Sequence, residues 1–433
     1  MIQVILAGGS GKRLWPLSTR EEPKQIIPIF NGISLFEKTI IQNNIDSKIV
    51  ITNERIFPSL KSISPNSKFL IEKEPLGTNM SIAFIAIMSD PEEMLVITPS
   101  DHIIKNTTNY NHSISLAIRK AKKQLVLIGI SPSYPETGYG YISLRNNKVV
   151  AFHEKPNLET ATSYMNSNYL WNSGIVVVKA SILLTLFSTY DKVSLANARE
   201  ILSQSTLKSG NIYLKNKDPY LESFDCSILE KAKDISVISA CNLGWKDMGS
   251  IDSLSSEIPS SPFKEVNSSN NYCFTSKDKN ILFLDIDNVS VIETEDSILI
   301  SNRGSSQQIK EIELPDSWYE TNKTNRPWGQ YKVIKSESNY KVKELIVNPG
   351  ERISLQYHKH RSEHWILVKG KIEAQINEKI INLSENESLY IPANITHRLS
   401  NKSDQTALLI EVQTGTYLEE DDIIRIEDDY ERP

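Results

Sequence analysis

The chain has 433 residues, enough for two or three domains at about 150 residues each, and its 39% hydrophobic and 23% charged content excludes a largely disordered or fibrous protein. With 48 basic and 53 acidic residues the formal charge is -5, which leaves no electrostatic footprint for nucleic acid or an anionic membrane. Three scattered cysteines, Cys226, Cys241 and Cys273, argue against a disulfide framework or a cysteine zinc site and fit a reducing compartment, the cytoplasm. In chain order, residues 2–6 read as a first strand broken at once by Gly8, Gly9, Ser10 and Gly11; with no basic flank they are not a signal peptide. Apolar runs at 48–52, 94–98 and 124–128 alternate with helical patterns such as 111–123, as expected of strands buried on both faces of a mainly parallel α/β sheet. The stretch 174–187 is the most apolar, but Lys179 and Ser181 interrupt it and it is too short to span a bilayer. A Ser-, Pro- and Asn-rich linker is expected at 253–271, then short β runs at 281–285, 289–293 and 297–301, and a second linker at 315–325. Beyond Pro327 short strands and turns without helical periodicity predict a small β-barrel or sandwich.

Leu6-Ala7-Gly8-Gly9-Ser10-Gly11-Lys12-Arg13-Leu14 follows a strand and precedes a helix-like segment. Glycines let a backbone approach a polyphosphate and aim its N–H groups at it. The spacing is neither a Walker A loop nor a Rossmann GxGxxG. Alone the glycines would also fit a tight turn, but Arg13 and Lys24 flank them. This segment, with Leu14-Trp-Pro-Leu-Ser18 and Pro23-Lys-Gln25, resembles the signature of sugar-1-phosphate nucleotidylyltransferases, and within them mannose-1-phosphate guanylyltransferases. The resemblance continues through 74–79, Pro99-Ser-Asp-His102, 136–142, Glu154-Lys-Pro156, Trp171-Asn-Ser-Gly174 and Gly244-Trp-Lys-Asp-Met-Gly249.

It implies a Rossmann-like mixed α/β sheet over residues 1–257 and transfer of GMP from GTP to mannose 1-phosphate. Leu6, Ala7, Gly8, Gly9 and Gly11 would cradle the triphosphate, Arg13 would meet the β- and γ-phosphates, and Lys24 would bridge toward the α-phosphate. Asp101 and Asp247 would hold Mg²⁺, a hard ion suited to carboxylates. Glu74, Gly77 and Asn79 would line the guanosine. Gly138, Tyr139, Gly140, Glu154, Lys155 and Asn172 would hold the sugar and its phosphate. Taken singly, an Asp after a strand is more often an N-cap, and Tyr139 more often a packing residue. Two departures stand out: Thr19 replaces a frequent family Arg, and Thr78-Asn79-Met80 replaces Arg-Asn-Thr.

Four of seven histidines lie between His358 and His397, and six of 13 arginines follow Asn325. On a strand Gln356, His358 and His360 share a face; a turn near Arg361 would return Glu363, and a later strand His397. Two imidazoles, a carboxylate and an amide oxygen suit Zn²⁺ or another divalent metal with an open position, whereas His360 and His364 read as surface residues. Together with Arg326-Pro-Trp-Gly329, Pro349-Gly-Glu-Arg352, Tyr390-Ile-Pro392, Ile410-Glu-Val-Gln413 and Asp421-Asp-Ile-Ile-Arg425, this cluster resembles the cupin domain of type II phosphomannose isomerases over 326–433. The implied ligands are Gln356, His358, Glu363 and His397. Arg361 and Arg398 are candidates for the sugar phosphate or the enediolate, Arg398 as a catalytic group, and His360, Lys343 and Glu351 are possible bases. The expectation is therefore a transferase, a β-helix-like connector over 271–315 and a cupin acting on hexose 6-phosphates, as a homodimer. The alternatives are a guanylyltransferase whose cupin only dimerises or regulates, and a non-catalytic sugar-phosphate sensor.

Overall fold

A computed structural model describes all residues except 10, 31, 146–147, 216–221, 278 and 431–433, so Ser10 of the glycine loop lies outside the described residues. The chain divides into two compact units, Met1–Pro315 and Asp316–Pro433. Among the described residues no helix is long and apolar enough to cross a membrane.

The first unit is built on a sheet whose strands run in the order Thr206–Lys208, Asn211–Tyr213, Lys68–Glu72, Lys48–Asn53, Ile2–Leu6, Met94–Pro99, Leu170–Lys179, Leu125–Ile130 and Ile235–Ala240. The apolar runs are parallel to their neighbours and buried on both faces. Leu170–Lys179 is the exception, antiparallel to both Met94–Pro99 and Leu125–Ile130. That makes the sheet mixed, a reversal that apolar composition does not reveal. Helices cover it. Leu35–Gln42 starts in a capping box made by Ser34 and Glu37, which satisfies two otherwise orphaned N–H groups. Thr78–Met88 is apolar on nearly every side and almost wholly buried, because it packs on the sheet and on Ala180–Tyr190 and Lys192–Ser203. The helix expected at 111–123 spans Thr107–Lys120, with Asn106 as its cap.

The linker expected at 253–271 is instead structured, containing the end of helix Ile251–Ser255 and strand Phe263–Val266. That strand pairs in parallel with Ile281–Leu284, and Tyr272–Thr275 pairs in parallel with Val289–Glu293. Both pairs are offset by 18 residues (263 to 281, 272 to 290), one turn of a β-helical coil per 18 residues.

The second unit has a six-stranded sheet and a five-stranded sheet. In three adjacent strands of the larger sheet, Tyr340–Val347, Ala407–Gly415 and Arg361–Lys369, alternate residues are buried, as the period of a half-buried strand requires. Each inward row is apolar at one end (Leu345, Val347; Ala407, Leu409; Trp365, Leu367) and ionic or polar at the other (Lys341, Lys343; Glu411, Gln413; Arg361, Glu363). The apolar ends form the core with Ile372, Ala374, Ile391 and Leu399. The second expected linker, 315–325, carries a 3-10 turn, Asp316–Tyr319, and the start of strand Lys323–Arg326.

Glu72 ends its strand fully inside the first unit, accepting from Ser81 Oγ at 3.1 Å and Leu76 N at 3.4 Å. Burial pushes its carboxyl up from 4.5 to about 7, against both bonds. The fold holds this proton where the unfolded chain has released it. Its contribution is therefore complete below about pH 4.5 and lost as the pH rises through about 7. Glu72→Gln should flatten that loss and add up to about 3 kcal/mol near pH 8. Urea unfolding at acid and alkaline pH tests this; an unchanged slope would show Glu72 ionised in the fold.

Candidate functional sites

In the first unit, parallel pairing sets Leu6 opposite Pro99, so the glycine loop and Ser100-Asp101 leave the sheet at the same edge. Ligands of open α/β sheets bind at such carboxyl ends. Gly11 has φ +68, and a Cβ there would stand 3.1 Å from Lys24 N and from Ser18 Oγ, so the loop closes tightly on the segment that carries Lys24. Gln25 Nε2 donates to Gly9 O at 2.8 Å, tying the same two segments. Lys24 is buried and ion-paired with Asp101. Burial would raise the Asp101 carboxyl, but the Lys24 ammonium and His102 outweigh it and hold it well below its ordinary range.

Asp247 is brought in by a two-residue ladder in which it faces His102. Ligand atoms of Asp101, His102 and Asp247 all lie within 4.8 Å of one another. Asp247 Oδ1 is buried with no hydrogen-bond partner among the described residues, a lone-pair surplus that a cation would satisfy. The three residues thus fit a divalent ion. His102 is the member that sequence reading left out; its Nδ1 accepts from Trp245 Nε1 at 3.2 Å. A Cβ on Gly249 would lie 3.0 Å from Asp247 Oδ1 and 3.1 Å from Arg13 Nη2, so the bare glycine leaves room for both side chains. Beside them is a cavity of about 430 Å³ lined by Tyr134, Tyr139, Trp171, Trp245, Asp247 and Gln307, among others. Tyr139 packs edge-on against Trp171 and Trp245.

Glu154 and Lys155 form an ion pair, with Lys155 in the left-handed region at φ +43. The backbone N of Asn172 donates to Gly140 O at 2.8 Å, and its Nδ2 donates to Asp225 Oδ1 at 3.2 Å. Burial first, and then the charge of Glu154, push Asp225 up to about 6. Asp225 belongs to no motif, and a position 53 residues from Asn172 gave sequence reasoning no signal for it. Of the residues expected at the base, Glu74 is exposed and Gly77 precedes helix Thr78–Met88. Asn79 does not fit there. It is fully buried, and its Nδ2 donates to Asp191 Oδ2 at 2.7 Å and Ser194 Oγ at 2.9 Å. Ala7 is likewise enclosed, its N–H donating to Ile51 O at 2.8 Å; Leu6 is the last residue of its strand.

In the second unit Gln356 lies opposite His397 in register, and His358, Glu363 and His397 are all nearly inaccessible. Nε2 of His358 is 2.9 Å and Nε2 of His397 3.5 Å from the Glu363 oxygens, yet neither nitrogen has a well-aligned hydrogen-bond partner among the described residues. His397 Nδ1 donates to Ile395 O at 2.8 Å, fixing the tautomer that leaves Nε2 as a lone pair, the arrangement metal-bound histidines use. Burial lowers His397 further than Glu363 raises it, which keeps the ring neutral. Gln356 Oε1 accepts from Ser354 Oγ at 2.7 Å. This set fits a divalent metal with N and O donors.

Around it, burial would raise Glu363, but His358, His397 and Arg361 hold it well below the carboxylate range. Burial and the Glu363 charge instead push Glu411 up to about 8. Trp365 Nε1 donates to both, at 3.1 and 3.0 Å, and Gln413 Nε2 does so at 3.3 and 2.7 Å. Arg326, Lys343, Arg361, Glu420 and Arg425 line the adjoining cavity with Gln356, Glu363 and Glu411. Of the three suggested bases only Lys343 faces it: the His360 ring packs on Tyr417, and Glu351 accepts from Tyr430 OH. Arg398 is a correction. Adjacent to His397 on the strand, it points to the other face, where Nη1 meets Glu427 at 3.1 Å; it does not line the cavity. Glu411, Gln413 and Glu420 were missed as site groups, although Glu411 and Gln413 stood inside a quoted motif.

Residues 2–260 match the nucleotidyl transferase family, and 316–428 match the family described as mannose-6-phosphate isomerase C-terminal. Xanthan biosynthesis protein XanB of Xanthomonas campestris is 34% identical over 100% of this chain and 99% of its own length. Mannose-1-phosphate guanylyltransferase of Salmonella montevideo is 34% identical over 99% of each chain. The solved structure of mannose-6-phosphate isomerase from Helicobacter pylori superposes with a TM-score of 0.52 at 28% identity, covering 57% of this chain and 99% of that one.

Asn79→Ala should lower the unfolding free energy by about 2 kcal/mol through its stranded partners and leave nucleotide affinity unchanged. Weakened nucleotide binding at full stability would return Asn79 to the site.

Proposed function

The chain belongs to the mannose-1-phosphate guanylyltransferases that carry a mannose-6-phosphate isomerase C-terminal domain, and from this we infer that it makes GDP-mannose and pyrophosphate from GTP and mannose 1-phosphate. Its second unit interconverts fructose 6-phosphate and mannose 6-phosphate. The convergence of Arg13, the Lys24–Asp101 pair and Asp247 on one sheet edge carries the reading.

A phosphate oxygen of mannose 1-phosphate attacks the α-phosphorus of GTP in line, and the bond to the β-phosphate oxygen breaks. No covalent enzyme intermediate is needed, so the protein's contribution is positioning and charge neutralisation. Loop N–H groups at Gly8, Gly9 and Gly11 receive the triphosphate. Arg13 offers its fork to the leaving pyrophosphate, and Lys24, held in place by Asp101, sits at the phosphate between donor and acceptor. Asp101 and Asp247, with His102 beside them, would hold Mg²⁺, which supplies charge neutralisation across the phosphates. The sugar's hydroxyls meet Glu154, Asn172 and Asp225, and Lys155 meets its phosphate.

In the second unit His358, Glu363 and His397, with Gln356, would hold Zn²⁺ or another divalent ion, whose positive charge would favour a developing enediolate. Arg326, Arg361 and Arg425 form the cationic wall suited to the 6-phosphate. Lys343, whose ammonium Glu411 and Glu420 stabilise against the effect of burial, is a cation suited to the developing enediolate and not to abstracting the proton. Relatives named for xanthan and alginate biosynthesis support a polysaccharide as the destination of the product.

Asp247→Asn should lower GDP-mannose formation with Mg²⁺ by about 10²–10³-fold and leave the isomerase rate unchanged. Glu363→Gln should do the converse, losing bound metal by elemental analysis together with isomerase activity. Loss of both activities in either variant would refute two independent sites; wild-type protein that forms no nucleotide sugar from any NTP would refute the transferase.

A further inference from the structure

The β-helical connector contributes a side chain to the transferase site. Its 3-10 turn Ser306–Glu311 packs on the turn Lys12–Leu14 that carries Arg13. Gln307 Oε1 accepts from Arg13 Nη1 at 3.3 Å across 294 residues of sequence. The same side chain lines the cavity that Asp247 and the aromatic residues share. The turn is itself anchored: Asp252 accepts from Gly304 N at 2.8 Å and from Ser306 N at 3.1 Å, and Asp252 N donates to Ser306 Oγ at 3.2 Å. These bonds tie the end of the connector to the helix that follows Asp247 and Gly249.

We propose that Gln307 is a positioning residue for nucleotidyl transfer, one that aims the Arg13 guanidinium at the pyrophosphate leaving group; this rests on the transferase reading above. The chemistry of the acceptor carries the argument. An arginine that must meet polyphosphate needs its orientation set without losing its charge. A carboxylate at position 307 would set the orientation but neutralise the cation and compete with the anion. A neutral amide oxygen takes one N–H and leaves the remaining donors of the fork, with the full positive charge, for phosphate. Nη2 lies over Gly249 on the Asp247 side, so the fork sits between the connector and the segment that carries Asp247. The connector is then a component of the active site, not only a spacer between two enzymes.

The test uses the full chain, with pyrophosphate titration by calorimetry beside steady-state transfer. Gln307→Ala should weaken pyrophosphate affinity and lower kcat/KM for GTP by about 10-fold, the scale of one hydrogen bond to a charged group. Gln307→Met, which fills the same volume without an acceptor, should match it. Gln307→Glu should lose more than either, because its negative charge offsets that of Arg13 and repels the polyphosphate. In an Arg13→Lys background the Gln307→Ala loss should shrink toward one-fold, since the two residues act as a unit. Wild-type behaviour of Gln307→Met, or losses at 13 and 307 that simply multiply, would overturn the proposal. Failure of the transferase reading is a separate result: the wild-type chain would then bind neither pyrophosphate nor GTP.

Discussion

Leu6 paired with Pro99 is the contact from which the transferase site is assembled. In a parallel pair both strands end at the same edge, so the glycine loop after Leu6 and the acid after Ser100 must emerge side by side. Everything else is drawn to that edge by shorter-range necessity. Gly11 leaves no room for a side chain against Lys24 and Ser18, which brings the ammonium to Asp101. That carboxylate is only partly exposed, and Lys24 and His102 offset its desolvation; removing it would strand the buried Lys24 charge inside the protein. Asp247 enters through the two-residue ladder with His102, and its orphaned oxygen marks where the remaining compensation belongs.

The cupin meets the same constraint on a different scaffold. Its inward rows change from apolar to ionic along each strand, so one end of the barrel is a core and the other is a concentrated polar network. Two carboxylates close enough to share both Trp365 and Gln413 as donors cannot ionise with equal ease. The histidines and Arg361 settle the charge on Glu363, and Glu411 keeps its proton to higher pH. Lys343 is held by Glu420, and Arg361 donates to the Glu419 carbonyl at 2.9 Å. Arg361 also pairs with Glu363 through Nε at 3.4 Å, so both cations are fixed facing the cup.

What the sequence disclosed follows the range of the interactions involved. Short-range signals were readable. The buried strands announce themselves as apolar runs, the glycine loop with Arg13 and Lys24 spans few residues, and Gln356, His358 and Glu363 sit within one hairpin's length. Alternation also separated His364 from Glu363, whereas His360, two residues from His358, leaves the inward face because its strand ends at His358. The same rule, applied one residue further, would have turned Arg398 away from the cup, since neighbours on a strand face opposite sides. The linker at 253–271 misled through composition: Ser and Asn there serve as turn residues of a β-helical coil, whose side-chain and backbone bonds join successive rungs.

The groups that stayed hidden are those whose meaning depends on a distant partner. Asp225 is an unremarked acid until Asn172 and Glu154 are beside it, and Asn79 stood in a motif yet is occupied by Asp191 and Ser194, over a hundred residues away. Gln307 is the extreme case. A glutamine in a 3-10 turn carries no local signature, and its partner lies near the opposite end of the unit's sequence. The physical reason is general: a neutral acceptor that orients a cation has to be unremarkable in charge, since a residue conspicuous enough to be read from sequence would have neutralised the group it was there to hold.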